Sequence, residues 1–516
     1  MTNENLAAID IGTNSFHLII VKILEDGNFE IIDREKEVIR LGEGNTGDIK
    51  EIKESAIQRA IETLKKFKEI SDSHNAEIKA VATSAVREAL NKDEFRREIK
   101  EKTNIDIEVI SGTEEARLIY LGILKSVPIF NKYSLCIDIG GGSTELIVGK
   151  EGIIQFSNSH KIGAVRLTQK FFPDYELSKE RINDCKEWVK GEIFSSIKQI
   201  KNYPIEVVVG SSGTINSLGF LVYSKNSNTD QGYTILNNFE ISSADLKSIS
   251  KDILKKKSYE DRKKIKGLDS KRADIIPAGA IILQTIVDEL NIEKITLSDY
   301  ALREGIVIDE LQKKGFLNKF PDLRDIRMNS IMQLAKSSKY DLDHCLHVSN
   351  LAEQIFEQTY HIHKLDEENK EYLNAASILH DIGYHISHSQ HHKHGQYIIQ
   401  NSELLGFNEN EIKIIGNISR YHRKSHPKLR HKEFSSLNSQ SREKVEKLSA
   451  ILRIADSLDR THQKLVEKIS IDNNDKEIIF NLYCNGKYPE VEIWNLERRQ
   501  KLFEEIFDLK VRIKCS

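Results

Sequence analysis

Two short segments pair an aspartate with a run of small residues, a combination suited to binding phosphate together with a metal ion. Residues 9–22 (IDIGTNSFHLIIVK) align without gaps with residues 137–150 (IDIGGGSTELIVGK), and eight of the fourteen positions are identical. Glycine and small polar residues let backbone N–H groups point into a turn, where a phosphate oxygen can accept from them. Asp10 and Asp138 precede the two turns, and such carboxylates suit a Mg²⁺ ion that bridges to the phosphate.

A third glycine-rich segment, GSSGT at 210–214, follows an apolar run and precedes a helical pattern. Backbone donors at a helix N-terminus also favour phosphate, although a single turn of this kind is more often only a tight turn. The duplication with a retained aspartate favours phosphate binding for the set. The candidate phosphate-binding residues are Gly12, Thr13, Asn14, Ser15, Gly140, Gly141, Gly142, Ser143, Thr144, Gly210, Ser211, Ser212, Gly213 and Thr214.

Histidine is concentrated in the second half of the chain, where 14 of the 17 histidines lie between His344 and His462. His347, the adjacent pair His380 and Asp381, and Asp456 have the spacing of an HD-type metal site. Imidazole and carboxylate bind divalent metals, and such sites hydrolyse phosphate esters by activating water. Two interpretations stay open here: a metal-binding second phosphohydrolase site, or a structural remnant beside the main activity.

Two neighbouring segments have an open role. HSQHHKHG at 388–395 is either a source of outer metal ligands and substrate contacts or a solvated surface. RYHRKSHPKLRHK at 420–432 carries six Lys or Arg residues and no acid, which suits a passing polyanion. No aromatic-interleaved motif accompanies the basic residues, so nucleic acid is not favoured as a partner.

Around these motifs the pattern alternates between strands and helices up to about residue 312, then becomes almost wholly helical, and ends in a short mixed segment. The predicted fold class is α/β with two lobes, then an all-α domain and a small α+β domain. The predicted boundaries are 1–125, 126–312, 313–464 and 465–516. Each lobe is expected to open with a strand, a tight turn and a second strand.

Six motifs in order resemble the exopolyphosphatase and guanosine pentaphosphate phosphohydrolase (Ppx/GppA) family, in its long form with an HD-type domain. They are IDIGTNSFHL, TSAVREA, SGTEEARL, IDIGGGSTEL, GSSGT and RADIIPAGA. The wider resemblance is to the actin and sugar-kinase superfamily, which implies two actin-like, RNase H-like lobes. The family also implies a homodimer.

The resemblance also assigns roles to particular residues. Glu115 matches the glutamate that activates water, and Arg87 matches the basic residue that contacts substrate phosphate. Asp138 matches the metal-binding aspartate, with Glu145 as a further acid near the metal and Asp10 joining through a water. Glu114 is the alternative to Glu115, but adjacent helical residues point about 100° apart, so only one of them faces the cleft. The implied metal is Mg²⁺ or Mn²⁺, with a second divalent metal in the HD-type domain.

The predicted activity is Mg²⁺-dependent release of orthophosphate from the end of inorganic polyphosphate. Guanosine pentaphosphate phosphohydrolase is the alternative with the same residues, and a regulatory protein that binds guanosine tetraphosphate is the alternative of another class. A kinase would use similar turns, but the glutamate of SGTEEAR favours water as the acceptor.

Composition excludes several other classes. The 516 residues carry 76 Lys and Arg against 79 Asp and Glu, a net charge of −3, which neither a histone-like nor a disordered acidic protein would show. The five cysteines form no CxxC pair, so neither a zinc ribbon nor a disulfide framework is indicated. The longest apolar run, 275–287, is too short to span a bilayer. These features predict a cytoplasmic protein without membrane contact.

Overall fold

The computed structural model describes residues 5–24, 28–43, 51–227, 236–315, 326–338, 340–402, 404, 406–474 and 476–515. The chain falls into two compact units, Met1–Arg324 and Asp325–Ser516, called unit 1 and unit 2 below.

Unit 1 begins with a lobe built on a five-stranded sheet in the order β3-β2-β1-β4-β5. The outer strands β2 and β3 continue antiparallel from β1, whereas β4 and β5 are parallel to it. Helix α1 places apolar residues three or four positions apart, such as Ile57, Ile61 and Leu64, against the core. The elements are β1 Asn5–Ile11, β2 Ser15–Ile23, β3 Phe29–Val38, α1 Glu54–Ser73, β4 Ala76–Ala82, α2 Ser84–Glu88, α3 Lys92–Thr103, β5 Ile107–Val109 and α4 Gly112–Ser126.

The second lobe of unit 1 repeats this sheet and adds one edge strand, in the order β10-β11-β9-β6-β7-β8. Its core is packed by the apolar helix α10, whose buried residues cover most of its circumference. The elements are β6 Ser134–Ile139, β7 Thr144–Lys150, β8 Ile153–His160, α5 Ala164–Phe171, α6 Lys179–Ile200, β9 Val207–Ser211, α7 Ser212–Ser227, β10 Glu240–Ser242, α8 Ser243–Lys255, α9 Tyr259–Lys263, α10 Ile276–Leu290, β11 Lys294–Leu297 and α11 Leu302–Lys313.

The opening hairpins of the two lobes have the same register. Asp10 pairs with His17 between β1 and β2, and Asp138 pairs with Glu145 between β6 and β7. Both pairs are therefore displaced by the same 128 positions. The prediction of two α/β lobes that open with matching strand–turn–strand segments is confirmed.

Two glycines let helices α4 and α11 approach until their backbones touch. A Cβ atom on Gly122 would lie 2.0 Å from the carbonyl oxygen of Ala301, and one on Gly305 would lie 1.8 Å from that of Leu118. Any side chain at either position would force the helices apart. This contact links the helix that carries Glu115 to the second lobe.

Unit 2 consists of helices followed by a three-stranded sheet in the order β12-β13-β14. One continuous apolar core runs from the helices into the sheet and includes Leu351, Leu448 and Phe480. The elements are α12 Ile326–Ser337, α13 Leu342–Gln358, α14 Tyr360–His363, α15 Glu367–Leu379, α16 His391–Gln400, α17 Glu409–Arg420, α18 Lys432–Ser435, α19 Ser439–Ser457, β12 Val466–Asn473, β13 Glu477–Cys484, α20 Glu490–Arg499, α21 Lys501–Phe507 and β14 Lys510–Cys515. Within the described ranges, no helix of either unit is both long and apolar enough to cross a membrane.

Replacing Gly305 by alanine will lower the thermal midpoint of unit 1, because the new methyl group overlaps the Leu118 carbonyl. Overpacking of this kind costs about 1–3 kcal/mol. Gly191→Ala is the matched control, since the Cβ position of Gly191 in α6 has nothing within 4 Å. Alanine there should stabilise the helix by about 0.5–1 kcal/mol. Calorimetry of the full chain measures both, and equal midpoints for the two variants would contradict the close helix contact.

Candidate active site

The two glycine-rich turns of unit 1 face each other. Each turn closes with the same hydrogen bond, from the N–H of Gly12 to the carbonyl of Ser15 at 3.2 Å and from that of Gly140 to Ser143 at 3.0 Å. A Cβ atom on Gly141 would lie 3.2 Å from the backbone nitrogen of Asn14. The two turns are therefore in contact, and their backbone N–H groups lie close together.

A cavity of about 350 Å³ opens at this meeting point. Most of the predicted residues line it, from both turns and from the start of α7. The predicted residues on its wall are Asp10, Gly12, Thr13, Asn14, Ser15, Glu115, Asp138, Gly140, Gly141, Gly142, Ser143, Ser212, Gly213 and Thr214. Arg87, Thr144, Glu145, Gly210 and Ser211 lie behind that wall.

Three carboxyl groups on the wall have raised pKa values. Burial raises the pKa of Glu115 to about 7 and that of Asp138 to about 6, with Arg87 and the Ser211 hydroxyl respectively acting in the opposite direction. Removal from water raises the pKa of Asp10 to about 7, and the charges of Glu115 and Asp138 act in the same direction. The charge of Arg303 acts in the opposite direction on Asp10, so burial is the main cause of all three raised pKa values.

Glu115 is held in place by its helix start and by an arginine. The Ser111 hydroxyl accepts from the N–H of Glu114 at 3.1 Å and caps α4, so Glu115 lies in the first turn. The Arg87 guanidinium donates to Oε2 of Glu115 at 2.9 Å and to the carbonyl of Ile110 at 3.0 Å. Arg87 was predicted to contact substrate phosphate; here Nη1 of its guanidinium pairs with Glu115, and Arg87 is not among the residues that line the cavity.

Glu145 was predicted as a further acid near the metal, and it lies next to Asp138 in the sheet. It is directly opposite Asp138 in the β6–β7 pair and is fully buried. Its Oε1 accepts from the Ser159 hydroxyl at 2.8 Å. Burial and the neighbouring charges of Glu115 and Asp138 raise the pKa of Glu145 well above its usual range, which favours its protonated form, and Glu145 is not among the residues that line the cavity.

The third turn, GSSGT, contacts both Asp138 and the backbone of the strand that carries it. The Ser211 hydroxyl donates to Oδ2 of Asp138 at 2.6 Å, and the Ser212 hydroxyl donates to the carbonyl of Ile139 at 3.0 Å. Ser212 adopts a φ of 76°, in the left-handed region, where α7 begins. A Cβ atom on Gly213 would lie 1.9 Å from a guanidinium nitrogen of Arg272, so only glycine lets this arginine lie against the turn.

Sequence reasoning missed the cations of the cavity. Four of them line it: Arg34, Lys36, Arg272 and Arg303. They come from β3, from a short turn and from the start of α11, segments that are remote from each other in the chain. The motif RADIIPAGA contained Arg272, but nothing local marked the other three.

The residues of the cavity fit a divalent cation. Carboxylate and hydroxyl oxygens are the donors that Mg²⁺ prefers, and it usually takes one or two carboxylates and completes its shell with water and phosphate. Among the described residues, Asp10, Glu115 and Asp138 form no trio with ligand atoms within 4.8 Å of one another. This spacing fits an ion that is shared with a phosphate and does not fit a closed protein cage.

In unit 2, the structure brings His380, Asp381 and Asp456 together but corrects the fourth predicted ligand. His344, and not His347, completes the group: its Nε2 lies 3.8 Å from Oδ1 of Asp456. Nε2 of His347 instead contacts the carbonyl of Val466 at 2.9 Å. The two histidines are three positions apart on α13 and occupy neighbouring faces, so the spacing alone did not separate them.

Comparison with known proteins relates most of the chain to one family. The model of the Ppx/GppA phosphatase family matches residues 19–314, and the model of Ppx/GppA phosphatase domain III matches residues 326–503. An exopolyphosphatase from Cytophaga hutchinsonii is 30% identical, with 60% of this chain and 98% of that chain covered and a TM-score of 0.56. A Ppx/GppA family member from Aquifex aeolicus is 29% identical, with 61% and 99% covered and a TM-score of 0.51.

Replacing Arg87 by methionine will destabilise unit 1 more at pH 8 than at pH 5. The pKa of Glu115 is already raised to about 7, so its ionised form is unfavourable in the folded state, and loss of Arg87 raises this pKa further. Stability is therefore lost as the pH rises from the unfolded value through the folded one. Leaving a buried charge unpaired costs up to about 3–5 kcal/mol.

Thermal midpoints at the two pH values measure this effect. The double variant Arg87→Met with Glu115→Gln is the control, because it removes the charge that Arg87 compensates and should show the same loss at both pH values. A pH-independent loss for Arg87→Met alone would show that the ion pair is not the cause.

Proposed function

Because the chain belongs to the Ppx/GppA phosphatase family and is a phosphoanhydride hydrolase, we propose that it is an exopolyphosphatase that releases orthophosphate from inorganic polyphosphate. The observation that supports polyphosphate as the substrate is the composition of the cavity lining. Four cations face it, and none of the described residues on its wall is Phe, Tyr or Trp. A polyanion of repeated phosphates matches such a wall, whereas a guanine base would find no aromatic face to stack on.

The proposed binding mode uses backbone donors first. The turns that contain Gly12 and Gly140 offer N–H groups to the terminal phosphoryl group, and the start of α7 offers more. Arg272 and Arg303 neutralise the phosphates that follow. A Mg²⁺ ion, held by Asp138 and through water by Asp10, would supply the positive charge that the phosphoryl oxygens and these carboxylates need.

Glu115 is the proposed general base. Its Oε atoms face the cavity from the first turn of α4, where a water can be oriented for in-line attack on the terminal phosphorus. With a pKa of about 7, the carboxylate can take the water proton at neutral pH and pass it on. Arg87 is then a positioning residue, since its fork fixes one oxygen of Glu115 and leaves the other for water.

Several further features belong to the same proposal. The division at 1–125, 126–312, 313–464 and 465–516 assigns the two actin-like lobes to this reaction and the HD-type and small α+β segments to other roles. Magnesium or manganese as the metal, a homodimer as the assembly and the cytoplasm as the location are proposed with the family.

When long-chain polyphosphate and guanosine pentaphosphate are compared side by side, we expect the higher kcat/KM on polyphosphate. Stacking of a base on an aromatic residue is worth about 1–3 kcal/mol. Without it, the binding of guanosine pentaphosphate should be about ten- to a hundredfold weaker than at a site that stacks the base. Phosphate release is the measurement, and Glu115→Gln should lower it by at least about a hundredfold on both compounds.

The remaining outcomes separate the alternatives. Equal or faster hydrolysis of guanosine pentaphosphate would contradict the proposed preference. Tight binding of guanosine tetraphosphate without phosphate release from either compound would favour a regulatory protein.

Replacing Ser211 by alanine will move the acidic limb of the pH–rate profile to higher pH. The Ser211 hydroxyl donates to the ionised form of Asp138 and so lowers its pKa; without it, protons compete with the metal ion for Asp138 up to a higher pH. A hydrogen bond worth about 1 kcal/mol corresponds to a shift of about 0.7 pH units. Ser217→Ala is the matched control, because that hydroxyl donates to the carbonyl of Gly213 and to no carboxylate. Coincident acidic limbs for Ser211→Ala and the unaltered protein would argue against Asp138 as the metal-binding group.

A further inference from the structure

The histidine cluster of unit 2 contains a second group of ligands beside the predicted one. His391 and His422 form a trio with Asp381 in which all ligand atoms lie within 4.8 Å of one another. Asp381 is thus a member of both groups, since it also belongs to the trio with His344 and His380. All five side chains are buried.

The two carboxylate oxygens of Asp381 face different groups. Oδ2 lies 3.6 Å from Nε2 of His380, whereas Oδ1 lies 3.3 Å from Nε2 of His391 and 3.8 Å from Nε2 of His422. Two donors on one ion, each about 2.1 Å from it, lie about 3.0–3.4 Å apart in octahedral or tetrahedral geometry. The observed spacings are close to this range on both sides of the carboxylate.

Each histidine presents a bare nitrogen to the centre. The Nδ1 atoms of His380, His391 and His422 donate to the carbonyls of the residues three positions earlier, at 2.7, 3.1 and 2.6 Å. Nδ1 of His344 contacts Oδ2 of the buried Asp459 at 2.8 Å. With Nδ1 protonated, Nε2 carries a lone pair, which is the tautomer that a metal ion needs.

Two further observations concern these lone pairs. Nε2 of His380 is buried without a hydrogen bond. Nε2 of His391 and Nε2 of His422 lie 3.4 Å apart, so two acceptors face each other with no hydrogen between them. A cation placed among these nitrogens and Asp381 would satisfy all of them, whereas within the protein the only donor to this group is the Arg423 guanidinium, at Nε2 of His391, among the described residues.

We propose that unit 2 holds two divalent metal ions bridged by the carboxylate of Asp381, and that this pair hydrolyses a phosphate ester. Two ions about 3.5–4 Å apart form the usual arrangement for in-line displacement at phosphorus. The first ion takes His344, His380, Asp456 and Oδ2 of Asp381, and the second takes His391, His422 and Oδ1 of Asp381.

The surroundings fit a phosphorylated substrate. Arg423 donates to Nε2 of His391 at 3.1 Å, and Arg499 donates to Oδ2 of Asp456. Arg499 thereby leaves Oδ1 of Asp456 for the metal, and both guanidinium groups stand where phosphate oxygens would arrive. The fourfold imidazole set favours transition metals such as Mn²⁺, Co²⁺ or Fe²⁺ over Mg²⁺.

The reaction is redox-neutral. The bound ions would supply a water of lowered pKa. That water gives one proton to solvent, and its oxygen forms a new bond to phosphorus. The bond from phosphorus to the ester oxygen breaks with its electron pair on that oxygen, which takes a proton from solvent water. The products are an alcohol and a phosphate with one added oxygen.

The test counts metal ions in the full chain with Asp138→Ala, a change that removes metal binding in unit 1 from the count. After equilibrium dialysis against Co²⁺, the expected content is two ions per chain, and His422→Gln should reduce it to one. The matched control is His347→Gln, which alters a neighbouring histidine outside the cluster and should keep two ions. The visible absorption of imidazole-bound Co²⁺ gives a second readout, and circular dichroism of the metal-free proteins verifies folding.

The two-ion centre would be overturned if the Asp138→Ala chain bound one Co²⁺ ion or fewer. It would also be overturned if His422→Gln and His347→Gln lowered the Co²⁺ content equally. For the activity, p-nitrophenyl phosphate and bis(p-nitrophenyl) phosphate are the probes, with the chain loaded with Mn²⁺. We expect release of nitrophenol from at least one probe by the Asp138→Ala chain, with a loss of at least a hundredfold when His422→Gln is added. Two bound ions without release from either probe would overturn the hydrolytic half of the proposal.

Polyphosphate hydrolysis separates this proposal from that for unit 1. A chain with Glu115→Gln should lose phosphate release from polyphosphate and still release nitrophenol. Loss of both activities in that single variant would overturn the assignment of two independent sites.

Discussion

Negative charge that is removed from water requires positive charge close by, and this requirement organises both sites of the chain. In unit 1, Asp10, Glu115 and Asp138 share one cavity wall, and burial raises the pKa values of all three. The phosphate chain that we propose as substrate would bring still more negative charge to the same place. The backbone donors of the turns and the four cations on the wall answer part of that demand, and a divalent ion answers the rest.

The precision of the cavity comes from main-chain contacts, because its donors are mostly backbone N–H groups. Turn residues can serve as donors only if the strands on either side hold them at a fixed place. The N–H groups of Ala164 and Val165 donate to the carbonyls of Gly140 and Gly141 at 2.9 Å, which anchors one turn from behind. Arg166 adds a bond to the carbonyl of Gly142 and an ion pair with Glu88 of the first lobe at 2.7 Å. The packing of α4 on α11 then sets the distance from Glu115 to both turns.

The duplicated hairpins could be predicted from the sequence, whereas most side chains that meet in the cavity from distant segments could not. The duplicated hairpins were readable because strand, turn and aspartate recur at a constant offset, and a strand register allows few alternatives. The cations Arg34, Lys36 and Arg303 were not readable, since they reach one cavity from remote segments and share no local pattern; only Arg272 lies in a quoted motif. The choice of His347 over His344 failed for a different reason: both lie on one helix, and only the partners that surround a helix decide which histidine is turned inward. The orientation of Arg87 likewise depended on a tertiary contact, the buried carboxylate of Glu115.

The two sites differ in the donors they offer, and this difference separates their metal chemistry. The cavity of unit 1 presents carboxylate and hydroxyl oxygens, which bind hard ions such as Mg²⁺ and leave room for water and phosphate in the coordination shell. The cluster of unit 2 presents four imidazole nitrogens and two carboxylates, each held by a backbone or side-chain partner, a set that binds transition metals more tightly than Mg²⁺. In a solution with abundant Mg²⁺ and scarce transition metal, the proposed site of unit 1 would fill because of the high Mg²⁺ concentration and that of unit 2 because of its higher affinity. Each site can therefore be loaded without competing for the ion of the other.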